Sequence, residues 1–308
     1  MSPTQLKAIA VSLAVLLLLW GGSELLSRGS DTTTGSLALP ALAQADADTI
    51  SIVSGPDSVL LAKQSSSAWT VNGHRAAPDE VHALFQALRD TVRPELVAQD
   101  SSSFARLGVD SAAARWLRIR GGGKLLLQLA LGTRRAEVQG AYVRRPGDTH
   151  VYLWRGRLGG LADRRADEWR DKRIAALEPD SIGEVDVERG KERYALRRRA
   201  GRWSVDGAAA DSAAVARLLE KYRAITAMGF ATRGAGDSTK ARRPVRRLAI
   251  RDARGGMLLS LAFDSTTGSF LVRHVAGAGG EGPTVYRMSV WEVDGVTPVS
   301  RSLLPAKK

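Results

Sequence analysis

The sequence predicts an α+β fold in which two tandem copies of an antiparallel-sheet-plus-helix unit follow one N-terminal transmembrane helix. The main observation is a stretch that occurs twice, as Trp69-Thr70-Val71-Asn72-Gly73 and, 134 positions later, as Trp203-Ser204-Val205-Asp206-Gly207. Each stretch precedes apolar residues at positions i, i+3, i+4 and i+7, the spacing of one helix face. These residues are Val81, Leu84, Phe85 and Leu88 in the first copy and Val215, Leu218, Leu219 and Tyr222 in the second.

Length and composition are those of a globular protein large enough for two domains. The 308 residues include 45 Lys and Arg against 32 Asp and Glu, so the formal net charge is +13. This charge suits anionic partners, but the basic residues are spread along the chain, which is typical of a solvated surface. The chain has no cysteine, which excludes disulfides, thiolate metal sites and a cysteine nucleophile.

The apolar run Ala8–Gly22 predicts a membrane anchor within residues 1–28. Lys7 precedes the run and Glu24 follows it. Because positive charge stays on the cytoplasmic side, we expect a single-pass protein of the inner membrane with its N-terminus in the cytoplasm and its body in the periplasm. The run is short for a span of about 20 residues, so the two leucines after Glu24 would have to extend it.

A cleaved signal peptide is the alternative interpretation of the N-terminus. Ala41-Leu42-Ala43 and Ala43-Gln44-Ala45 are small-residue cleavage sites. They lie roughly 20 residues beyond the apolar run, whereas signal peptidase normally cuts close behind it. The pattern favours a retained anchor, with residues 29–45 as a linker and the start of the folded region. Both interpretations export the body.

Residues 46–176 form the first predicted repeat. A proline suits the first helical position, so Pro78 predicts the start of a helix that runs to about Thr91. The stretch Gly159 to Ile174, dense in both charge signs, is predicted as a closing helix. Glycine-containing turns between the strands imply an antiparallel sheet. The predicted strands are Thr49–Val53, Ser58–Lys63, Trp69–Val71, Trp116–Arg120, Leu125–Leu131, Ala141–Arg145 and His150–Trp154.

Residues 177–308 form the second predicted repeat. Asp211 is the expected N-cap of a helix from about Ser212 to Ile225. The loop Gly234–Pro244 is absent at the matching place in the first repeat. Pro298 interrupts the tail, so the closing helix has no predicted counterpart. The other predicted strands are Ile182–Val187, Arg193–Arg198, Arg247–Arg251, Met257–Phe263, Ser269–His274 and Thr284–Met288.

The sequence contains no motif that predicts catalysis, a metal site or a cofactor. Gly121-Gly122-Gly123-Lys124 lacks the earlier glycine and the following Ser or Thr of a phosphate loop. None of the four histidines has a second ligand at metal spacing. Four carboxylates near the end of the first repeat alternate with arginines, which indicates a salt-bridged surface and not a catalytic pair. These carboxylates are Asp163, Asp167, Glu168 and Asp171.

Two sets of residues are candidates for binding. The basic end of the inserted loop is a candidate contact for an anionic surface, with a solvated loop as the alternative. Trp69 and Trp203 could stack on a ligand, but their place before a glycine turn in both copies favours packing against the helix. The basic residues proposed for the contact are Arg242, Arg243, Arg246 and Arg247.

Several stretches resemble the bacterial family called domain of unknown function 4340. The resemblance covers about Leu37 to Leu303, but the tail after Trp291 departs from the repeat. It implies one membrane helix, an exported tandem α+β region that starts at Leu37 to Asp46, and genes beside ABC-transporter components of the gliding-motility type. The family has no known catalytic residues, so none are carried over. The stretches are Trp69–Gly73, Leu107–Asp110, Leu131-Gly132, Ala141–Arg144, Val151–Leu153 and Trp169–Arg173.

These observations predict a non-enzymatic, membrane-anchored extracytoplasmic subunit that acts as an accessory or scaffold in a membrane protein complex. The resemblance implies that the complex is an ABC-type transporter. One alternative is a module that binds a polyanion or lipid headgroups. A hydrolase of cell-envelope polymers is disfavoured because the sequence offers neither converging carboxylates nor a Ser/His pair. Nucleic acid is not an expected partner, since the body is exported.

Overall fold

The computed structural model describes residues 37, 39–89, 94–133, 140–231, 244–275 and 284–306. The chain forms two compact units, and the boundary between them lies between Trp169 and Arg170. The predicted anchor lies outside the described residues. Among the helices that are described, none is long and apolar enough to cross a membrane.

Unit 1 contains a nine-stranded sheet with the strand order β4-β3-β2-β1-β6-β7-β8-β9-β5, and the paired strands are antiparallel. The α-helices among its described residues are α1 (Pro78–Arg89), α2 (Phe104–Leu107), α3 (Leu158–Ala162) and α4 (Ala166–Trp169). The strands are β1 (Thr49–Ser54), β2 (Asp57–Lys63), β3 (Trp69–Val71), β4 (His74–Arg75), β5 (Glu95–Ala98), β6 (Arg115–Gly121), β7 (Lys124–Leu131), β8 (Gly140–Arg144) and β9 (Val151–Arg155).

Unit 2 contains a second nine-stranded antiparallel sheet, with the order β14-β13-β12-β11-β17-β18-β19-β20-β16, and a separate pair β10-β15. The α-helices among its described residues are α5 (Ser212–Tyr222) and α6 (Val290–Val296), and α6 is followed by the 3-10 helix Ser300–Leu303. The strands are β10 (Arg173–Ala175), β11 (Ile182–Arg189), β12 (Glu192–Arg199), β13 (Arg202–Val205), β14 (Ala208–Ala209), β15 (Ile225–Thr226), β16 (Gly229–Phe230), β17 (Arg246–Asp252), β18 (Met257–Thr266), β19 (Ser269–His274) and β20 (Tyr286–Ser289).

The antiparallel α+β prediction is confirmed, and both nine-stranded sheets have one strand order. In each, four strands run from an edge to the centre in reverse chain order. The next four continue to the far side, and a short strand that precedes them in the chain closes the other edge. In the chain order of each unit, the main helix follows the fourth strand and precedes that short edge strand.

The repeated dipeptide makes the same tight hairpin in both units. Asn72 and Gly73 have φ of 47° and 81°, and Asp206 and Gly207 have φ of 48° and 88°. Positive φ at both central residues is the requirement of a type I′ turn, which Asn-Gly and Asp-Gly meet at little cost. The side-chain oxygen of each first residue also accepts a backbone N–H from the neighbouring strand, at 2.8 Å in unit 1 and 2.9 Å in unit 2.

The core of unit 1 includes residues that precede the first strand. Leu37 and Leu42 are only 4% and 6% exposed and belong to the same apolar cluster as Trp69 and Trp169. The start of the folded region that the resemblance implied is therefore packed into unit 1. The core of unit 2 forms one cluster around its helix and includes the fully buried Tyr222 and Phe263.

The single closing helix predicted from Gly159 to Ile174 is wrong. The structure has two short helices, α3 and α4, and then the strand β10. Two adjacent glycines weaken the first helix. A new helix starts where the N–H of Arg165 donates to the carboxylate of Glu168, at 2.8 Å. Because β10 pairs with β15, the chain enters unit 2 before the expected boundary at residues 176 and 177.

The expectation that the closing helix has no counterpart in the second repeat is also wrong. After its last long strand, unit 2 has α6 and the 3-10 helix Ser300–Leu303, where unit 1 has α3 and α4. The N–H of Ala77 donates to the carbonyl of Trp169 at 2.8 Å, and the N–H of Asp211 donates to the carbonyl of Leu303 at 2.8 Å. Both donors lie just before the main helix. In each unit, one backbone hydrogen bond therefore joins the closing segment to the start of that helix.

Candidate functional site

The four arginines proposed for an anionic contact do not behave as one exposed cluster. Arg242 and Arg243 lie outside the described residues. Arg246 and Arg247 are consecutive in β17, and consecutive side chains of a strand point to opposite faces of a sheet. Arg247 is exposed, whereas the side chain of Arg246 is only 11% exposed.

Arg246 is held by contacts inside unit 2. Its Nη1 lies 2.6 Å from Oδ1 of Asp294 and 3.1 Å from Oγ1 of Thr297. Its guanidinium carbon also lies 4.8 Å from the ring centre of Phe270. The guanidinium of Arg246 therefore links α6 to the sheet and is not exposed to an external anion.

Unit 1 has a matching ion pair, which supports a structural role for Arg246. Arg115 is the first residue of β6, as Arg246 is of β17, and its Nη2 lies 2.7 Å from Oδ1 of Asp163. Asp163 directly follows α3, whereas Asp294 lies inside α6, so the two pairs join the same elements but use different positions of the closing segment. The sequence interpretation missed this correspondence because the two members of each pair are far apart in the chain.

Arg247 lies on a charged groove of about 550 Å³ on unit 2, lined mainly by β11, β12, β17 and β18. Within the groove, Asp186 pairs with Arg251, and Glu188 lies 3.7 Å from Arg193. Glu188 stands directly opposite Arg247 in the strand register. The groove therefore carries alternating opposite charges that balance one another, and exposed pairs of this kind contribute little to binding or stability.

A second groove of unit 2, of about 220 Å³, is mainly apolar. It lies between the end of α5, the strand β15 and the helix α6. Trp291 stands at this groove and is 77% exposed. The ammonium of Lys221 lies 5.6 Å from the ring centre of Trp291, within the range of a cation–π contact. We call this groove the Trp291 patch; its lining includes Lys221, Ile225, Met288, Trp291, Glu292 and Val296.

The tryptophans of the repeated stretch have different environments. Trp69 is 2% exposed, and its ring centre lies 6.4 Å from that of Phe85. The packing role predicted for Trp69 is confirmed. Trp203 is only partly buried, and the guanidinium carbon of Arg198 lies 5.7 Å from its ring centre. Trp203 nevertheless packs against the core cluster of unit 2, so the two tryptophans differ in how deeply they are buried.

The remaining sequence candidates have structural roles. Gly122 and Gly123 form the turn between β6 and β7 with φ of 57° and 75°. The N–H of Gly122 donates to the carboxylate of Asp48 at 2.9 Å, so this backbone donor has a protein acceptor. Nδ1 of His150 lies 2.8 Å from Oδ1 of Asp148. In the described part of the chain, no three His, Asp or Glu residues are grouped as metal ligands.

The carboxylates at the end of unit 1 do not converge on one point. Asp163 pairs with Arg115, as described above. Glu168 accepts the N–H of Arg165 at the start of α4. Asp171 pairs with Arg173 at 3.2 Å. Each of these three groups therefore serves a local contact, and the geometry gives no pair of carboxylates positioned for acid–base chemistry.

Sequence reasoning missed the Trp291 patch. The available signal was Trp291 itself, because the matching position of unit 1, just before α3, is occupied by Arg157. A tryptophan in a short helix is usually assigned to a core, since most of its area is apolar. Only the structure shows that this ring faces outward.

Residues 69–244 match the model of the family described as Domain of unknown function (DUF4340). No curated protein and no solved structure matches the chain significantly. The matched region starts at the first residue of β3 and ends just before β17. It covers more than half of the chain and includes the main helices of both units. The chain therefore belongs to the family of the Domain of unknown function (DUF4340).

Proposed function

We propose that this chain is a non-enzymatic, membrane-anchored extracytoplasmic subunit built from two tandem copies of one α+β unit. Its body acts as an accessory or scaffold in a membrane protein complex, with an ABC-type transporter as the complex that the family resemblance suggests. The N-terminal run Ala8–Gly22 provides the anchor in this proposal, and the body lies in the periplasm.

The burial of Leu37 and Leu42 is the observation that carries the proposal. Signal peptidase cleavage after Ala43 or Ala45 would remove both side chains from the core of unit 1, where they are 4% and 6% exposed. Loss of one buried leucine side chain typically costs about 2–5 kcal/mol. Retention of the segment is thus favoured by the stability of unit 1, and a retained segment keeps the apolar run attached to the body.

The two-copy proposal is supported by contacts that recur at one spacing. The N–H of Ala76 donates to the carbonyl of Trp69 at 2.9 Å, and the N–H of Ala210 donates to that of Trp203 at 3.0 Å. Both members of the second bond lie 134 positions after those of the first. The closing bonds from Ala77 and Asp211 described above show the same spacing. A shared strand order with matched contacts is expected of a duplicated unit.

The scaffolding part of the proposal is supported by how the ionisable side chains are used. In the larger groove, Asp186 pairs with Arg251 and Glu188 with Arg193, while Asp206 accepts the N–H of Ala195. The carboxylates Asp163, Glu168 and Asp171 at the end of unit 1 make the local contacts described above. A hydrolase needs an acid and a base with separated pKa values in one cleft. The cell-envelope hydrolase is for this reason the weaker alternative.

The first test measures the mass of the mature chain after extraction from membranes. We expect a mass that includes the N-terminal apolar run, together with resistance of the chain to alkaline carbonate extraction. A mature chain that starts after Ala43 or Ala45 would contradict the anchor. Leu42→Ala should destabilise unit 1 by about 2–5 kcal/mol. Leu39→Ala is the matched control and should cost less, because Leu39 is only partly buried.

The second test concerns the orientation and the complex. A reporter fused after Lys308 should be active only outside the cytoplasm. The full chain, purified in mild detergent, should recover a membrane protein complex at a fixed ratio, and a chain whose anchor is replaced by an unrelated membrane helix should recover the same complex. If the chain with the replaced anchor no longer recovers the complex although its body is unchanged, a scaffolding role for the two units is contradicted.

A further inference from the structure

Asn72 is the only asparagine among the 308 residues of the chain, and Gly73 follows it directly. Both residues are exposed at the tip of the hairpin between β3 and β4. A Cβ added to Gly73 would meet no atom within 4 Å, so the space beside the turn is open to water. An asparagine side chain can react with the backbone nitrogen of a following glycine, because glycine has no side chain to hinder the approach.

This reaction converts the side-chain amide into an acid in two steps. The backbone nitrogen of Gly73 attacks Cγ of Asn72, and its proton passes through water to Nδ2, which leaves as ammonia. A cyclic succinimide remains, and a water molecule opens it at either of its carbonyl groups. Cleavage of the new bond to Cγ gives aspartate. Cleavage of the original peptide bond gives isoaspartate, in which the main chain passes through Cγ.

The folded hairpin holds the side chain of Asn72 by both of its polar atoms. Oδ1 accepts the N–H of Leu60 at 2.8 Å, and Nδ2 donates to the carbonyl of Ser58 at 3.0 Å. Both partners are backbone groups of β2, the strand next to β3. Movement of Cγ towards the nitrogen of Gly73 breaks these bonds. The net strength of one such bond corresponds to a factor of about 2 to 13 in the population of the released side chain.

The backbone of the turn opposes the same reaction. Ring closure needs Cβ of Asn72 and the nitrogen of Gly73 on the same side of the bond between Cα and the carbonyl carbon of Asn72. A type I′ turn has ψ of about 30° at its first central residue, which places these two atoms on nearly opposite sides of that bond. Both obstacles are removed when the hairpin opens, so local unfolding controls access to the reaction.

Unit 2 shows that one product of the reaction fits the turn. Asp206 stands at the matching place with φ of 48° and accepts the N–H of Ala195 at 2.9 Å, as Asn72 accepts that of Leu60. An aspartate at position 72 therefore keeps the hairpin. Isoaspartate adds one atom to the main chain of a turn whose two-residue length sets the strand register, so the hairpin cannot form again in the same way.

We propose that Asn72 is a modification site of unit 1, at which spontaneous deamidation marks every chain whose first hairpin has opened. The closed hairpin protects the amide, and the open hairpin exposes it to attack by Gly73 and then by water. Unit 2 has no such site, because Asp206 already carries an acid. This inference does not rest on the proposed function.

The test compares the folded full chain in detergent with the same chain unfolded in guanidinium, both in one mildly alkaline buffer. Proteolytic digestion and mass spectrometry measure the conversion of amide to acid in the peptide that contains Asn72, and fragmentation by electron transfer distinguishes aspartate from isoaspartate. We expect deamidation to be at least about fivefold slower in the folded chain, from a factor of about two or more for each of the two bonds. Equal rates in the two states would overturn the proposal.

Matched core variants test whether opening of this hairpin controls the reaction. Leu61 is buried in β2 opposite Val71, and Leu196 is buried in β12 opposite Val205. Leu61→Ala should raise the rate of deamidation in the folded chain towards that of the unfolded chain, whereas Leu196→Ala should leave it unchanged. Leu61→Val serves as the milder variant if Leu61→Ala does not fold. A rate that rises equally in the variants of both units, or in neither, would overturn control by the hairpin.

Asn72→Asp tests the difference between the two products. The variant keeps an acceptor for the N–H of Leu60 and loses the donor to the carbonyl of Ser58. Hydrogen exchange at Leu60 should therefore accelerate by no more than about 13-fold, the upper value for one lost bond. The isoaspartate form, separated from the aspartate form after deamidation, should lose this protection entirely. Equal protection at Leu60 in both forms would overturn the assignment of different effects to the two products.

Discussion

Units 1 and 2 share one strand order but place their large side chains at different positions. At Phe85 and Trp169, unit 1 has an aromatic ring where unit 2 has leucine, while Trp69 and Trp203 are alike. Unit 2 in turn has buried tyrosines where unit 1 has aliphatic residues. The fold thus tolerates a redistribution of core volume, as cores do when total volume and pattern are kept. The matched positions are Trp69 and Trp203, Phe85 and Leu219, Trp169 and Leu303, Val59 and Tyr194, and Leu88 and Tyr222.

The polar atoms of these rings also differ in their hydrogen-bond partners. The indole N–H groups of Trp69 and Trp169 are buried, and neither has an acceptor among the described residues. In unit 2, the hydroxyl of Tyr194 donates to the carbonyl of Pro298 at 2.7 Å, and that of Tyr222 donates to the carbonyl of Val296 at 2.9 Å. A buried donor without an acceptor costs free energy, so unit 1 gains from ring volume, while unit 2 gains from both volume and hydrogen bonds. Residues at matched positions of the two units therefore contribute different free energies of stabilisation.

The largest difference is expected between the two repeated tryptophans. Trp69→Ala should destabilise unit 1 by about 3–5 kcal/mol, because a buried ring is replaced by a cavity. Trp203→Ala should destabilise unit 2 by about 1–2 kcal/mol, since only part of its area is removed from water. Hydrogen exchange read by mass spectrometry measures the two units separately.

Trp69→Phe is the control for the tryptophan comparison. It keeps a ring beside Phe85 and removes the N–H that lacks an acceptor, so it should cost clearly less than Trp69→Ala. Equal destabilisation by Trp69→Ala and Trp203→Ala would show that the two environments are alike in solution, against the burial described above.

The parts that could be predicted from sequence are those with local signals. Asn72-Gly73 and Asp206-Gly207 predict hairpins because only a few residues accept positive φ, and the apolar spacing predicts α1 and α5. Strands such as β10 and β16 are two or three residues long and show no periodicity, so they were missed. The prediction of a single closing helix was wrong because alternating charges are compatible with a helix surface and also with short exposed segments.

The candidate site was harder to predict because its contacts are long-range. Arg246 and Arg247 are neighbours in sequence, yet a strand sends them to opposite faces. The ion pair of Arg246 with Asp294 joins β17 to a helix at the end of the chain, and no local pattern indicates it. Trp291 carries no sign of exposure in its own sequence, because a tryptophan that follows Val290 in a short helix fits a core equally well.

A smaller difference is expected between the two ion pairs that fasten the closing helices. Arg246→Ala should destabilise unit 2 by about 2 kcal/mol, because it removes bonds to Asp294 and Thr297 and the contact with Phe270 from a mostly buried site. Arg115→Ala should cost about 0.5–1 kcal/mol, since its partner Asp163 is 62% exposed and exposed pairs contribute little. Chemical denaturation followed by hydrogen exchange measures both.

Arg247→Ala is the neighbouring control for this comparison. Arg247 is exposed on the other face of β17, so its replacement should change stability by less than about 0.5 kcal/mol. A cost for Arg247→Ala as large as that for Arg246→Ala would contradict the assignment of the structural role to Arg246 alone.

The last expected difference appears at high pH. Burial raises the pKa of the Tyr222 hydroxyl well above its ordinary value near 10, with a minor contribution from Tyr194. Between the unfolded and the folded pKa, the folded state binds the proton and the unfolded state does not. The stability of unit 2 is therefore fully present below about pH 10 and falls as the pH rises above it, by about 1.4 kcal/mol at pH 11 for this one group.

Tyr222→Phe isolates this contribution. The variant should be less stable than the parent at pH 7, because it loses the hydrogen bond to the carbonyl of Val296, worth about 0.5–1.5 kcal/mol. The difference should shrink or reverse by pH 11, since phenylalanine does not ionise. In unit 1, Leu88 occupies the matching position, so Leu88→Ala should destabilise that unit equally at both pH values. Unfolding curves at pH 7 and pH 11 that shift by the same amount in the parent and in Tyr222→Phe would show that Tyr222 does not carry the alkaline sensitivity of unit 2.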